Sequence, residues 1–412
     1  MNAASIPAPR PHNAMATLSW CNLAAQSAEQ ISLAAVPIVA VLALNAGAGE
    51  IGLLSAAQSL PFLLLSLPAG VLADRWSRTQ LMMWAEALRA LSLLGLLLLV
   101  VSGGLSLPAL AVLGFIGATG TVGFSVAAPA LVPSLVPSGE LSRANARLEL
   151  ARSAAFAAGP AVAGALVSWA GASAAFVTAT VLSAAAVAGL LRLPAAARTV
   201  APKRRVFDQL RHGAGLVWQH PLLRPVMWTA VAWNLSWFVL QAAYVPYAMR
   251  RLGLDAGAVG FTLGCYGGGM LIGALLASRI SSRFAFGHAV LLGPWVSVLA
   301  AAAMCATLLW PSMALAALSF ALFGAGPLVW TVTTTTLRQT VVPAQMLGQV
   351  SAIFLTVNTG VRPIGAALGA LVGTLWGEPA CIVLAAAGFG VQAALISASP
   401  VRVMRTLPAA AA

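Results

Sequence analysis

Apolar runs of about twenty residues recur along this 412-residue chain, and their repetition is the strongest constraint on its fold. At about 1.5 Å per helical residue, each run is long enough to cross the roughly 30 Å hydrocarbon core of a bilayer. Hydrophobic residues make up 60% of the chain and charged residues only 8%, which leaves too little polar surface to cover a soluble fold. The sequence therefore predicts an all-α polytopic membrane protein.

Twelve such runs are predicted to span the membrane, in two groups of six that flank the longest polar stretch of the chain. The spans cover about residues 18–44, 51–72, 81–101, 108–133, 150–170, 172–191, 226–247, 259–280, 289–309, 313–337, 350–375 and 380–397. The polar stretch is rich in arginine and is typical of a linker with a short amphipathic helix on the membrane surface. We therefore divide the chain into an N-terminal six-helix bundle at 1–192, a cytoplasmic basic linker at 193–222 and a C-terminal six-helix bundle at 223–412.

The formal net charge of +13 arises from basic residues that lie mainly between the predicted spans on one side of the membrane. With the N-terminus inside, Arg250 and Arg251 are the basic residues of the outer side, Arg89 and Arg362 lie well inside spans, and the other basic residues are assigned to the cytoplasmic side. Basic residues accumulate on the cytoplasmic side of membrane proteins, so we expect both termini in the cytoplasm of a bacterial cell with the protein in its inner membrane. Topology and contact with anionic lipid account for the charge, and we expect no nucleic-acid partner.

A weak internal repeat relates the two groups of spans. Leu-Val-Pro at 135–137 has an echo in Val-Val-Pro at 341–343, and Gly-Pro-Ala-Val-Ala-Gly-Ala-Leu at 159–166 has a similar echo at 362–371. The offset is close to half the chain, which indicates two homologous halves. Parallel repeats of this kind occur in transporters whose substrate site lies near the midplane between the halves.

The turn between the second and third spans carries Gly70, Asp74, Arg75 and Arg78 in the pattern Gly-x-x-x-Asp-Arg-x-x-Arg. Together with the two six-helix halves, this pattern resembles the signature loop of the major facilitator superfamily. The resemblance implies transport by alternating access, with this loop holding the outward-open state. It also implies that Asp74 lies near the N-terminal end of the eleventh span, where the helix dipole favours a carboxylate. The alternative is a basic loop that only sets topology.

Two further segments, at 129–145 and 220–225, are similar to the subgroup that contains the enterobactin exporter and related secretion permeases. In the fifth span, Gly159, Pro160 and Gly164 resemble the Gly-Pro-x-x-Gly-Gly core of the superfamily's antiporter motif, with alanine in place of one glycine. Small residues allow close helix contact and proline bends a helix, so we expect a tight helix crossing here. These resemblances favour export.

Glu29 is a carboxylate deep within the first span, on a helix face that also carries Asn22, Gln26 and Gln30. A charged side chain is costly in hydrocarbon and indicates a functional site. We expect Glu29 to couple transport to proton movement and Gln26 to line the substrate cavity. The alternative is a neutral glutamic acid that hydrogen-bonds for packing or contacts the substrate.

Asn358 and Arg362 form a second polar stripe, one helical turn apart in the eleventh span. Arginine does not lose its charge, so Arg362 needs a partner: Glu29, an anionic substrate group, or carbonyls freed beside the next residue, a proline. Asn358 and Arg362 are both candidates for the substrate cavity. Glu86 and Arg89, spaced i, i+3 in the third span, are predicted to pair within a cytoplasmic charge network.

The seventh span places Asn234, Trp237, Gln241 and Tyr244 on one face. The resemblance implies that this span lines the cavity, together with the first, fourth and tenth. Aromatic rings beside amides suit an amphipathic or aromatic substrate. An aromatic belt at the membrane interface is the alternative for the rings near the ends of the span.

The sequence favours a transporter over an enzyme, because its histidines are scattered and no phosphate-binding Gly-x-x-x-x-Gly-Lys loop is present. We expect no metal site and no cofactor. The predicted function is a proton-driven exporter of a siderophore, drug-like compound or other amphipathic small molecule, acting as a monomer. The alternatives are a lysophospholipid flippase and a non-transporting membrane sensor or scaffold on the same fold.

Overall fold

The computed structural model describes residues 11–137, 140–193, 206–343 and 346–407, and almost all of them are helical. In chain order the helices are α1 (Pro11–Leu44), α2 (Ala48–Arg75), α3 (Arg78–Val101), α4 (Leu107–Leu131), α5 (Leu141–Ala170), α6 (Ala172–Leu190), α7 (Val206–Gln219), α8 (Leu223–Arg250), α9 (Ala256–Arg283), α10 (Phe286–Ala306), α11 (Met313–Val341) and α12 (Leu347–Ser397). Short 3-10 turns follow α4 and α12. Within the described ranges no strand is formed.

Ten of the described helices are long and apolar enough to cross a membrane. One of them, α12, has 51 residues and breaks at Gly377, whose φ of 78° lies outside the helical region, so it crosses twice. Pro379, just after the break, suits the first turn of a new helix because it needs no N–H there. Helix α8, with 28 residues between Leu223 and Arg250, supplies the remaining span. The prediction of twelve transmembrane helices in an all-α polytopic protein is confirmed.

Apolar side chains cover the outside of the helix assembly. Leu53, Leu98 and Leu275 are 63%, 60% and 70% exposed. Such exposure would promote aggregation in water, whereas lipid tails are as apolar as leucine. The outer surface is therefore matched to a bilayer.

The helices form two bundles that pack on each other. Helices α1–α6 form the first bundle and α8–α12 the second, and α7 lies between them in sequence and packs on α8 and α12. The bundles meet along two seams, α2 against α12 and α5 against α9. The residue boundaries that we predicted for the two bundles and the linker stay a prediction.

The α5–α9 seam depends on residues without large side chains. A Cβ on Gly260 would lie 2.7 Å from the Cα of Gly164 and 2.5 Å from the carbonyl oxygen of Pro160. A Cβ on Gly159 would lie 2.4 Å from the Cβ of Gln30 on α1. The segment that resembles an antiporter motif therefore packs α5 backbone to backbone against α9 and tightly against α1.

Arg250, at the end of α8, joins the bundles where the α2–α12 seam ends. Its Nη2 donates to the carbonyl oxygens of Asn45, at 2.5 Å, and Ala46, at 3.0 Å, and its Nη1 pairs with Glu378 at 3.3 Å. Both carbonyls belong to the turn after α1. Charge-assisted bonds of this kind tie the two halves together at the end of the molecule that carries the α1–α2 turn.

Replacing Gly260 with alanine is expected to destabilise the protein, because the new Cβ would overlap backbone atoms of α5. Overpacking of this kind costs about 1–3 kcal/mol. The measurement is the thermal unfolding midpoint of the purified protein in detergent. Gly268 has open space where its Cβ would lie, so Gly268→Ala on the same helix is the matched control. Equal unfolding midpoints for the two variants would contradict the close packing of α9 against α5 at Gly260.

Candidate functional site

A cavity of about 440 Å³ lies between the two bundles. Helices α1 to α5 supply one wall, and α8, α9, α11 and α12 supply the other. The first wall is polar and carries the charged groups of the N-terminal half, whereas the second is largely aromatic. The cavity therefore has most of its charged groups on one side and an aromatic surface, with Arg362 beside it, on the other.

Arg89, on α3, organises the polar wall from a buried position. Its Nε donates to Glu86 Oε1 at 3.2 Å, and its Nη2 donates to Glu86 Oε2. Its Nη1 donates to Thr121 Oγ1 at 3.2 Å and to Glu29 Oε2 at 3.4 Å. Ser183, on α6, donates a further hydrogen bond to Glu86 Oε1. One guanidinium thus binds two carboxylates.

The two carboxylates differ in how firmly they are held. Glu86 is fully buried and accepts both of its Arg89 bonds in the bidentate manner that gives strong, well-oriented pairs. Glu29 has one longer bond to Arg89, and its side chain is 16% exposed towards the cavity. When both are ionised, the cluster has a net charge of −1. Glu29 is therefore the acid that water, protons and substrate can reach.

The placement of Arg89 corrects the expectation of a cytoplasmic charge network for Glu86 and Arg89. Arg89 lies roughly 16 Å along α3 from its start, at about 1.5 Å per residue, and this depth brings it level with Glu29. The i, i+3 pairing itself is present as predicted. Spacing within one helix identified the pair but not the third partner on α1.

Arg362 enters the cavity from α12 and contacts both halves. Its guanidinium carbon lies 5.9 Å from the ring centre of Phe62 on α2 and 5.8 Å from that of Phe238 on α8. Its Nε is buried without a hydrogen-bond partner, and no carboxylate in the described part of the chain forms an ion pair with it. Cation–π contacts therefore hold Arg362, and it has no bond to Glu29.

Arg152 also lines the cavity, although sequence reasoning assigned it to the cytoplasmic side. Helix α5 begins at Leu141, so Arg152 lies well inside it. Its Nε donates to Glu149 Oε2 at 2.9 Å, and its guanidinium carbon lies 5.4 Å from the ring of Phe156. The i, i+4 spacing of Arg152 and Phe156 is the feature of the sequence that could have indicated this contact.

The aromatic wall is built around Trp237. Its ring stacks on Trp233 at 5.3 Å between centroids, and it contacts Tyr266 at 4.9 Å and Phe320 at 5.9 Å. The rings come from α8, α9 and α11 and fix one another in offset or edge-on contacts. The amide side chains of Asn234 and Gln241, together with Trp237, line the cavity.

Three predicted cavity residues lie elsewhere in the structure. Tyr244 is fully buried, with its hydroxyl paired to Thr262 Oγ1 and its ring 4.4 Å from that of Phe320. It shares a helical face with Trp237, but α8 is enclosed by packed helices at that level, and the cavity expectation for Tyr244 was wrong. Asn358 lines a separate, smaller pocket, and Gln26 is partly buried outside the cavity wall.

The signature loop is described in part. Arg78 donates from Nη1 to the carbonyl oxygen of Ala130 at 2.6 Å, near the C-terminal end of α4, where a cation is favoured. This bond connects the loop between α2 and α3 to α4, which belongs to the same bundle. Gly70, Asp74 and Arg75 belong to the α2 helix, but the surroundings of these three residues are not among those that the structure describes. The predicted position of Asp74 near the eleventh span therefore stays a prediction.

A family model described as the Major Facilitator Superfamily matches residues 18–366 of the chain. The multidrug efflux pump Tap of Mycobacterium bovis is 28% identical over 287 residues, which cover 66% of this chain and 68% of Tap. The enterobactin exporter EntS of Shigella boydii is 27% identical over 327 residues, which cover 78% of this chain and 76% of EntS.

Among solved structures, a bacterial homologue of the iron transporter ferroportin in its inward-facing state has a TM-score of 0.67 with this chain. The match is 17% identical and covers 93% of this chain and 99% of the homologue. At this identity the likeness concerns the fold alone.

Replacing Glu86 with glutamine is expected to destabilise the protein much more than replacing Glu149. Loss of Glu86 removes the bidentate partner of a buried arginine, and breaking a buried pair from one side costs about 3–5 kcal/mol. Glu149 is 58% exposed, and exposed pairs contribute about 0–1 kcal/mol. Thermal unfolding midpoints of Glu86→Gln and Glu149→Gln in detergent measure the difference. Similar midpoints would mean that Glu86 does not hold Arg89 in place.

Proposed function

This chain belongs to the Major Facilitator Superfamily, and from that premise we propose that it is a proton-driven exporter of amphipathic small molecules. The superfamily and the relatives above are transporters rather than enzymes. The substrate class is a siderophore, a drug-like compound or another amphipathic metabolite with aromatic groups. Transport proceeds by alternating access of the cavity between the two bundles.

The observation that carries the proposal is the position of Glu29. It faces the cavity, yet it is bonded to an arginine whose other bonds anchor it to buried groups. Proton binding to Glu29 changes the net charge of the cluster from −1 to 0 without breaking the Arg89–Glu86 pair. A change of one unit charge at a site of low dielectric strongly alters what the cavity binds.

Competition for the oxygen atoms of Glu29 links protons to substrate. The ionised carboxylate accepts hydrogen bonds from substrate hydroxyl or amine groups, whereas the protonated acid has lost its charge and part of that capacity. Proton binding to Glu29 therefore weakens substrate binding, and substrate binding lowers the affinity of Glu29 for a proton. Antiport requires negative coupling of this kind between proton and substrate.

The aromatic wall supports an amphipathic substrate. Trp233 and Trp237 present a stacked pair of indoles, and Asn234 and Gln241 beside them offer amide groups. Flat rings with a few polar groups around them bind aromatic molecules by stacking and orient them by hydrogen bonds. A cavity of about 440 Å³ is of the size that small-molecule sites have.

The orientation that we propose places both termini in the cytoplasm of a bacterial cell, with the protein in the inner membrane. Arg78, Arg143, Arg147, Arg279 and Arg283 all lie at one end of the helices, opposite the end that carries Arg250. This distribution supports the orientation, because basic residues concentrate on the cytoplasmic side. We further propose that the partners are small-molecule substrate, protons and lipid, and that one chain suffices for transport.

Replacing Glu29 with glutamine is expected to abolish accumulation driven by a pH gradient, because glutamine cannot take up or release a proton. Accumulation of siderophores and cationic dyes in inside-out vesicles under an imposed gradient is the measurement. Glu140→Gln removes an exposed carboxylate at the start of α5 and is the matched control, with transport like wild type.

Binding of the same compounds to purified protein separates coupling from binding. We expect Glu29→Gln to bind the compounds with an affinity that no longer depends on pH. Gradient-driven accumulation by Glu29→Gln at the wild-type rate would contradict the proposal. Accumulation of none of the compounds by wild type would contradict the substrate class.

A further inference from the structure

A second pocket, of about 330 Å³, lies wholly within the C-terminal bundle between α8, α11 and α12. We call it the side pocket and define it by Trp330, Thr334, Arg338, Ser351, Phe354 and Asn358. It shares no lining residue with the central cavity. Asn358 and Arg362 are one helical turn apart on α12, so the two sites are adjacent along that helix.

Three residues that line the side pocket each have a buried polar atom with no hydrogen-bond partner in the part of the chain that the structure describes: the Nε of Arg338, the Nε1 of Trp330 and the Oδ1 of Asn358. Buried polar groups are almost always paired, because a group that has lost water and gained no partner costs free energy. Three such atoms from two helices lining one pocket therefore indicate a ligand rather than a packing defect.

The charge of the side pocket is positive. The guanidinium carbon of Arg338 lies 5.1 Å from the ring of Phe354, and in the described ranges no carboxylate forms an ion pair with it. Ser351 stands close to the start of α12, whose N-terminal end adds partial positive charge. Arginine and indole N–H groups are donors only, so they fit a ligand that accepts hydrogen bonds and carries negative charge.

Exposed apolar side chains lie at and beside the side pocket. Leu355, which lines the pocket, is 58% exposed, and Val332, next in sequence to the lining residue Thr331, is 43% exposed. A cationic interior beside exposed apolar side chains suits a molecule with an oxyanion at one end and an apolar body at the other. Guanidinium groups bind phosphate and carboxylate oxygens through paired, charge-assisted bonds.

We propose that the side pocket is a binding site for the oxyanion group of an amphipathic molecule, distinct from the central cavity. The oxyanion accepts hydrogen bonds from Arg338 Nε and Trp330 Nε1, and Asn358 Oδ1 accepts a hydrogen bond from a hydroxyl group of the same molecule. The group comes either from an anionic lipid or from a soluble organic phosphate. This inference does not depend on proton coupling at Glu29.

Native mass spectrometry of the purified protein tests the side pocket with phosphatidylglycerol, phosphatidylcholine and inorganic phosphate as probes. Wild type is expected to retain one phosphatidylglycerol and no phosphatidylcholine. In Arg338→Gln the retained lipid is expected to bind about tenfold more weakly or worse, as loss of a charged hydrogen bond implies. Arg224→Gln removes an exposed arginine near the same end of the bundle and is expected to bind like wild type.

Trp330→Phe provides a second variant, because it removes the Nε1 donor and keeps an aromatic ring, and it is expected to weaken binding as well. Displacement of phosphatidylglycerol by inorganic phosphate alone would identify a soluble phosphate as the ligand. Persistence of the lipid would identify the headgroup of an anionic lipid. Equal lipid binding by wild type, Arg338→Gln and Trp330→Phe, or no binding of any probe because water alone fills the pocket, would overturn the proposal.

Discussion

The sharing of Arg89 between two carboxylates is the interaction on which the site depends. A charge among membrane helices must be balanced by an opposite charge nearby. Glu86, which is fully buried, balances the charge of Arg89 through two hydrogen bonds. The second carboxylate, Glu29, is then the only member of the cluster whose charge is not fully balanced. Because Glu29 also faces the cavity, this unbalanced charge is the group to which the proposed function assigns proton binding.

The charge of Glu29 lies where the two halves of the protein meet. Backbone contact at Gly164 and Gly260 and the bonds from Arg250 bring the bundles together around the cavity. Phe62 and Phe238, one from each half, hold Arg362 between them. A substrate or proton that changes the electrostatics of the cavity therefore acts where both halves converge. Alternating access requires such convergence, because a ligand can shift an equilibrium only by contacts that differ between its two states.

Much of the fold follows from the sequence, because the bilayer sets the length and apolar composition of each span, and the half-chain repeat indicates two bundles. Glu29, Arg362 and Trp237 were found because polar and aromatic residues within apolar runs are few. Their partners were harder to find, since the Glu29–Arg89 contact joins residues of different helices and no spacing encodes it. Tyr244 and Arg152 show the same limit: helical periodicity gives a face and an approximate depth, whereas neighbouring helices decide whether that face borders the cavity.

Infrared difference spectroscopy of the purified protein between acid and alkaline pH tests whether Glu29 binds the proton, because the C=O stretch of a protonated carboxyl group is resolved from that of a carboxylate. We expect one component of the carboxyl bands, which titrates in wild type and in Glu140→Gln, to be absent in Glu29→Gln. Addition of a transported compound should diminish the same band as the substrate displaces the proton. A titrating band that survives in Glu29→Gln with unchanged amplitude would contradict the assignment of proton binding to Glu29.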